Sequence, residues 1–122
     1  MSDSLAQLAQ ALHRFAAERD WGQFHAPTNL ASALVVEAAE LLEPFQWLTE
    51  AQSRDLPPDT KEAVAQEMAD VLLYLVQLRT ALDVDLIDAA QRKMVINARK
   101  YPVDRAKGTA QKAESDDQVG SN

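Results

Sequence analysis

Leu34-Val35-Val36-Glu37-Ala38-Ala39-Glu40-Leu41-Leu42-Glu43 decides the fold. It reads as the interior of a helix in which acids fall where leucine is expected. Leu30, Leu34, Glu37 and Leu41 are spaced i, i+4, i+7 and i+11, so they share one face. Glu37 therefore lies in the apolar stripe. Glu40 lies one turn further along, on or beside the same face. A carboxylate in such a place is unfavourable unless it is paired, hydrogen-bonded or bound to a metal. The rest of the chain must contain what compensates for it.

The chain has 122 residues, enough for one domain with a real core. Hydrophobic residues make up 47% and only 3 residues are Gly. That composition favours a compact helical protein over a β-sandwich, which needs many Gly-rich turns. No apolar run approaches ~18 residues, so no transmembrane helix and no membrane partner are expected. Met1-Ser2-Asp3-Ser4 shows neither the basic start nor the apolar run of a signal peptide. The chain has no cysteine, which excludes disulfides and thiolate metal sites and fits a reducing, cytoplasmic location. A net charge of −7 argues against nucleic-acid binding through a general basic surface. An anionic ligand would need local cations, from metal ions or from clustered Lys and Arg.

The spacing predicts a first helix over residues 4–19, with Ser4 and Gln7 as a capping box and Leu5, Leu8, Leu12 and Phe15 as its apolar stripe. Trp21-Gly22-Gln23-Phe24-His25-Ala26-Pro27 reads as a loop. Its aromatic residues suit a hydrophobic plug over the bundle end or the stacking wall of a base pocket. Thr28 or Asn29 is the expected cap of the second helix, and Pro44 its end. Residues 50–58, with Pro57-Pro58, read as a connecting loop. A third helix is expected from Asp59, capped with Glu62, to Leu82, with Val64, Met68, Val71, Leu75, Leu78 and Leu82 as its stripe. Glu67, Asp70 and Tyr74 run along its flank at i, i+3 and i+7. Asp85 and Asp88 cap a fourth helix that ends near Tyr101-Pro102. Lys93, Asn97 and Lys100 share one of its faces. The domain is expected over residues 1–103, and residues 104–122, poor in large apolar side chains, as a disordered tail.

Two helices thus each present a pair of acids. Packed side by side, they would bring four carboxylates together, which cannot all stay ionised without cations. An all-oxygen donor set with no Cys and no His on those faces suits a hard divalent ion, Mg²⁺ first and Mn²⁺ second. Mg²⁺ keeps few protein ligands and takes substrate phosphates as others, so the acids point to a phosphorylated substrate. Lys93 and Lys100 could neutralise phosphate oxygens, or form a solvated helix face. Glu18, Glu43 and Glu62 read as solvated.

Glu37-Ala38-Ala39-Glu40, a spacer, and Glu67-Met68-Ala69-Asp70 resemble the metal-binding signature of the MazG-like, all-α nucleoside triphosphate pyrophosphohydrolases. The dCTP pyrophosphatase branch is nearer still. Its marks are Phe15-Ala16-Ala17-Glu18-Arg19-Asp20-Trp21, Gln23-Phe24-His25, Pro27, Asn29-Leu30, Phe45-Gln46-Trp47, Asp70-Val71-Leu72, Tyr74-Leu75-Val76, Lys93-Met94, Ile96-Asn97 and Tyr101-Pro102. The resemblance covers roughly residues 5–102. It departs at Val36, where many relatives carry a glutamate, and at Pro44.

The resemblance implies a four-helix bundle-like, all-α fold assembled as a homo-oligomer, a dimer or a dimer of dimers. It implies Mg²⁺-dependent hydrolysis of a (deoxy)nucleoside triphosphate, dCTP or a modified dCTP, to the monophosphate and pyrophosphate, as house-cleaning of the nucleotide pool. Glu37, Glu40, Glu67 and Asp70 would hold Mg²⁺, with Mn²⁺ as a substitute. Glu37 or Glu40 would serve as general base. Trp21, His25, Trp47 and Tyr74 would line the base and sugar pocket, and Lys93 and Asn97 would contact polar groups of the nucleotide. Two alternatives stand beside this reading. One is a non-catalytic helical interaction module whose acids pair with a partner's Arg or Lys. The other is a pyrophosphohydrolase of another phosphorylated nucleotide.

Overall fold

The computed structural model describes residues 4–110. The chain is all-α, with no strand among the described residues. In order the helices are α1 (Ser4–Glu18), α2 (Pro27–Leu42), α3 (Glu50–Ser53), α4 (Pro58–Leu82), α5 (Leu86–Lys100) and α6 (Val103–Ala106). Single 3₁₀ turns over Gly22–Phe24 and Glu43–Phe45 join α1 to α2 and follow α2. The four long helices expected from the sequence are α1, α2, α4 and α5. The chain divides after Val84 into two compact units.

In the first unit α4 is the central element, packed against both α2 and α1. Val76 of α4 and Leu30 of α2 are the most deeply buried large side chains, and Val64 joins them. The contact face of α1 is made by Ala9 and Ala16, two turns apart, with the half-buried Leu5, Leu8 and Leu12 beside them. Alanines let helices approach closely. Phe15, expected in this stripe, instead stays 44% exposed. The Arg19 guanidinium lies 3.6 Å from its ring centroid and the Trp21 ring meets it edge-on at 5.6 Å. Arg19 is held there by a bond from Nη1 to the Phe15 carbonyl, 3.0 Å. A cation and an indole cover that ring where a helix was expected to.

Several expected helix ends differ. The second helix starts at Pro27, not at a cap on Thr28 or Asn29, because proline is pre-set for the first helical position and lacks the N–H that would go unbonded there. Asn29 instead donates from Nδ2 to the Phe24 carbonyl at 3.2 Å and ties the preceding turn down. For the same reason α4 starts at Pro58, with no side-chain cap from Asp59. Residues 50–58 are not all loop. Thr49 and Gln52 form a reciprocal capping box, 3.1 and 2.9 Å, which starts the four-residue α3. Met68 and Leu82, placed in the buried stripe from the sequence, are 57% and 54% exposed.

Two helix ends share one device. After α1, Trp21 N–H bonds to Ala16 O and Asp20 N–H to Ala17 O. After α4, Val84 N–H bonds to Arg79 O and Asp83 N–H to Thr80 O. These are paired 6→1 and 5→2 closures, and in both the pivot is an Asp in the left-handed region, φ 55° at Asp20 and 53° at Asp83. Aspartate tolerates that region better than branched residues do.

In the second unit α5 is capped by Asp85, whose Oδ1 accepts from Asp88 N–H at 3.0 Å. Arg92 closes on Asp88 at 2.8 Å, one turn along. The helix ends at Lys100, two residues before Pro102, and Val103–Ala106 forms a further helical turn. Residues 111–122, the greater part of the expected tail, lie outside the described residues.

The left-handed pivot after α4 can be tested by substitution. Asp83→Val should lower the unfolding free energy by about 1–2 kcal/mol, whereas Asp83→Gly should not lower it. Urea unfolding of the three proteins measures the difference.

Candidate metal and nucleotide site

The α2–α4 pairing sets the site. Glu37 projects from α2, and Glu67 and Asp70 from α4, with one carboxylate oxygen of each within 4.8 Å of the others. Glu37 and Glu67 are half-buried and Asp70 is exposed. One oxygen of Glu37 and one of Glu67 (Oε2 in both) are shut off from water and have no hydrogen-bond partner in the protein. A buried polar atom without a partner calls for an explanation. Here there are two, both acceptors and both on acids of the converging group.

Electrostatics agree. A side-chain hydrogen bond with Glu40 holds the Glu37 carboxyl above the usual glutamate range, and burial and the charges of Glu40, Asp70 and Glu67 push the same way. Glu67 is raised by burial first, then by Glu40, Asp70 and Glu43. The charges that act on both carboxyls are those of other acids, and among the described residues no cation offsets them. The residues therefore fit a divalent cation. The donors are all hard oxygens, their charge is uncompensated, and two buried lone-pair-bearing atoms stand without a donor.

Glu40 lies outside the group of three but dominates the field at Glu37. Glu43, read from the sequence as a solvated acid, also contributes to the field at Glu67. Its position three residues beyond Glu40 was the available signal.

A cavity of about 260 Å³ is lined by Trp21, Phe24, His25, Asn29, Leu30, Ala33 and Tyr74, of which Ala33 and Tyr74 stand about one helical turn from Glu37 and Asp70. It brings together three of the four residues assigned to the base and sugar pocket, Trp21, His25 and Tyr74. Trp47 does not line it and is 86% exposed, just past the 3₁₀ turn at Glu43–Phe45. Asn29 and Ala33 were not singled out for this role in the sequence. The signal was present, since Asn29, Ala33, Glu37 and Glu40 run at i, i+4, i+8 and i+11 along one side of α2. Ala33 leaves space that a larger side chain would fill. Lys93 and Asn97 belong to α5 in the second unit, where both are exposed.

Comparison with known proteins follows the same lines. The model of the MazG-like family matches residues 33–115. The chain is 49% identical over 98 residues to dCTP pyrophosphatase 1 of Mus musculus, covering 79% of this chain and 58% of that protein. It is 47% identical over 100 residues to dCTP pyrophosphatase 1 of Homo sapiens, covering 80% and 59%. It thus spans rather more than half the length of these relatives. Among solved structures, a pyrophosphatase from Archaeoglobus fulgidus DSM 4304 superposes with a TM-score of 0.78 at 38% identity, covering 84% of this chain and 95% of that one.

The raised Glu37 and Glu67 carboxyls give a pH signature. An acid whose folded pKa lies above its unfolded one binds more protons when folded, so stability falls as pH rises through that interval. In a chelator, the melting temperature of the wild type should fall relative to that of Glu67→Gln as pH rises from about 5 to about 8. Saturating Mg²⁺ should remove the decline, since binding to the folded state alone stabilises it. A wild type that gains on the variant with rising pH in chelator would contradict the charge balance described.

Proposed function

The chain belongs to the MazG-like family, and from that premise we propose that it is a nucleoside triphosphate pyrophosphohydrolase. Its substrate is a (deoxy)nucleoside triphosphate, dCTP or a modified dCTP first. Its products are the nucleoside monophosphate and pyrophosphate. The observation that carries the reading is the convergence of Glu37, Glu67 and Asp70, two of them with orphaned buried oxygens, one helical turn from residues that line an aromatic cavity. Acids alone would suit many metal sites. Acids beside Trp21, Phe24 and Tyr74 suit a ligand that is phosphate at one end and a flat ring at the other.

In this reading Glu37, Glu40, Glu67 and Asp70 hold Mg²⁺, for which Mn²⁺ can substitute. When bound there, the ion would supply Lewis-acid polarisation of the phosphoryl oxygens and make the attacking water more acidic. The protein's own part is to hold the triphosphate and to manage a proton. Glu37 or Glu40 orients the water that attacks the α phosphorus and accepts its proton. The bond from the α phosphorus to the bridging oxygen breaks, and pyrophosphate leaves. Trp21 and Tyr74 flank base and sugar. Contacts from Trp47, Lys93 and Asn97 to the nucleotide belong to the same proposal and rest on the family resemblance.

A homo-oligomer, a dimer or a dimer of dimers, is also part of the proposal. Val35 and Leu42 on α2 and Met68 and Leu72 on α4 are each more than two-fifths exposed. Large exposed apolar surface on the helices that carry the acids favours a covering partner. Among the described residues no helix is long and apolar enough to cross a membrane. The absence of cysteine suits a cytoplasmic enzyme that cleans the nucleotide pool.

Product analysis tests the reaction. With dCTP and Mg²⁺ the products should be dCMP and pyrophosphate, and Glu37→Gln should reduce turnover by about 100-fold or more while the protein stays folded. Release of dCDP and phosphate, or no turnover of any common nucleotide, would refute the proposal.

A further inference from the structure

Phe15, Arg19 and Trp21 form a stack outside the buried core. Phe15 and Trp21 are each 44% exposed, and the Arg19 side chain 42%. The two rings meet at 5.6 Å with an interplanar angle of 68°. The guanidinium carbon of Arg19 lies 3.6 Å from the centroid of the Phe15 ring and 6.0 Å from that of Trp21. Arg19 is itself held, by its 3.0 Å bond to the Phe15 carbonyl and by the Glu18 carboxylate at 3.6 Å. Rings left half in water beside a cation gain little from burial, so the stack calls for another purpose.

Trp21 supplies one. Of the three side chains it alone lines the aromatic cavity, with Phe24, His25 and Tyr74. Its backbone is tied on both sides. Trp21 N–H bonds to Ala16 O at 2.9 Å, just after the left-handed Asp20, and Trp21 O accepts from Phe24 N–H at 2.9 Å. Gln23 Nε2 donates back to the Asp20 carbonyl at 2.9 Å. The same turn lends Asp20, Gly22 and His25 to a larger cavity of about 420 Å³ between α1 and α4. These bonds fix the Cα of Trp21 but not its rotamer, which side-chain contacts must choose. Phe15 and Arg19 make those contacts.

We propose that Phe15 and Arg19 are positioning residues for nucleotide binding: together they hold the Trp21 indole, before any ligand arrives, in the rotamer that flanks the ligand's ring. The inference rests on the nucleotide-hydrolase reading and adds to it two residues that act only through Trp21. A wall already in place costs the ligand no ordering of that side chain. Without the stack the indole samples other rotamers, and apparent affinity falls with the fraction of time it is in place. Trp21 flanks the end of the ligand away from the α phosphorus, so the loss belongs to KM and not to kcat.

Steady-state hydrolysis of dCTP and a fluorine label together form the test. Arg19→Ala and Phe15→Ala should each raise KM by about three- to tenfold, with kcat within about twofold of wild type. Trp21→Ala should raise KM at least as much. In the Trp21→Ala background, removing Arg19 should change nothing further, because residues that act through one another are not additive. A guanidinium that met the nucleotide directly would give additive losses. The chain has two tryptophans, so ligand-free protein carrying 5-fluorotryptophan gives two resonances, assigned with Trp47→Phe. That of Trp21 should move toward the free amino acid in both single variants of the stack. Phe15→Leu serves if Phe15→Ala does not fold. An unchanged KM, a loss confined to kcat, additive losses or an unmoved Trp21 resonance overturns the positioning role while hydrolysis stands. No turnover of any nucleotide overturns both.

Discussion

The mutual repulsion of carboxylates held together by helix packing is the constraint on which the rest depends. α2 and α4 bury Leu30, Val64 and Val76, and that apolar contact fixes where Glu37, Glu67 and Asp70 stand. The acids do not assemble themselves. They are forced within 4.8 Å by leucines and valines that gain from leaving water. Part of the packing free energy is thus stored as uncompensated charge. A site of this kind is preorganised: the donors are already placed, and a cation entering it relieves strain instead of ordering loose side chains.

Much of this was legible in the sequence because it breaks a pattern. Glu37 sits on a stripe with Leu30, Leu34 and Leu41, and such a conflict between local pattern and residue type marks a functional place. The second acid pair was legible by its spacing, and the long helices by their periodicity. The helix starts were less so. Asp59 and Asn29 each resemble an N-cap, but a proline one or two residues earlier takes the first helical position in both cases. The Thr49–Gln52 box was obscured by the nearby prolines and by the shortness of α3, a helix of only four residues.

The cavity between α1 and α4 was the least legible. Nothing in the sequence singles out Gln77, and it is the approach of α1 through Ala9 and Ala16 that encloses it. Phe15 belongs to the α1 stripe by spacing, yet Arg19 and Trp21 claim its ring because Asp20 turns the chain back at that point. Both outcomes depend on contacts between segments distant in sequence or on one left-handed residue, which periodicity does not register.

α4 also acts as a ruler. It carries Glu67 and Asp70 at one end of a face that runs on to Tyr74, with no break between them. Each residue of a helix turns about 100° and advances about 1.5 Å. Inserting or deleting one residue between Asp70 and Tyr74 would swing everything beyond it off the shared face. A whole extra turn would restore the direction but lengthen the span by about 5 Å. Changes of length are therefore closed to this segment. A descendant of this chain that came to act on a different ligand would have to do so by exchanging side chains along a rod of fixed length.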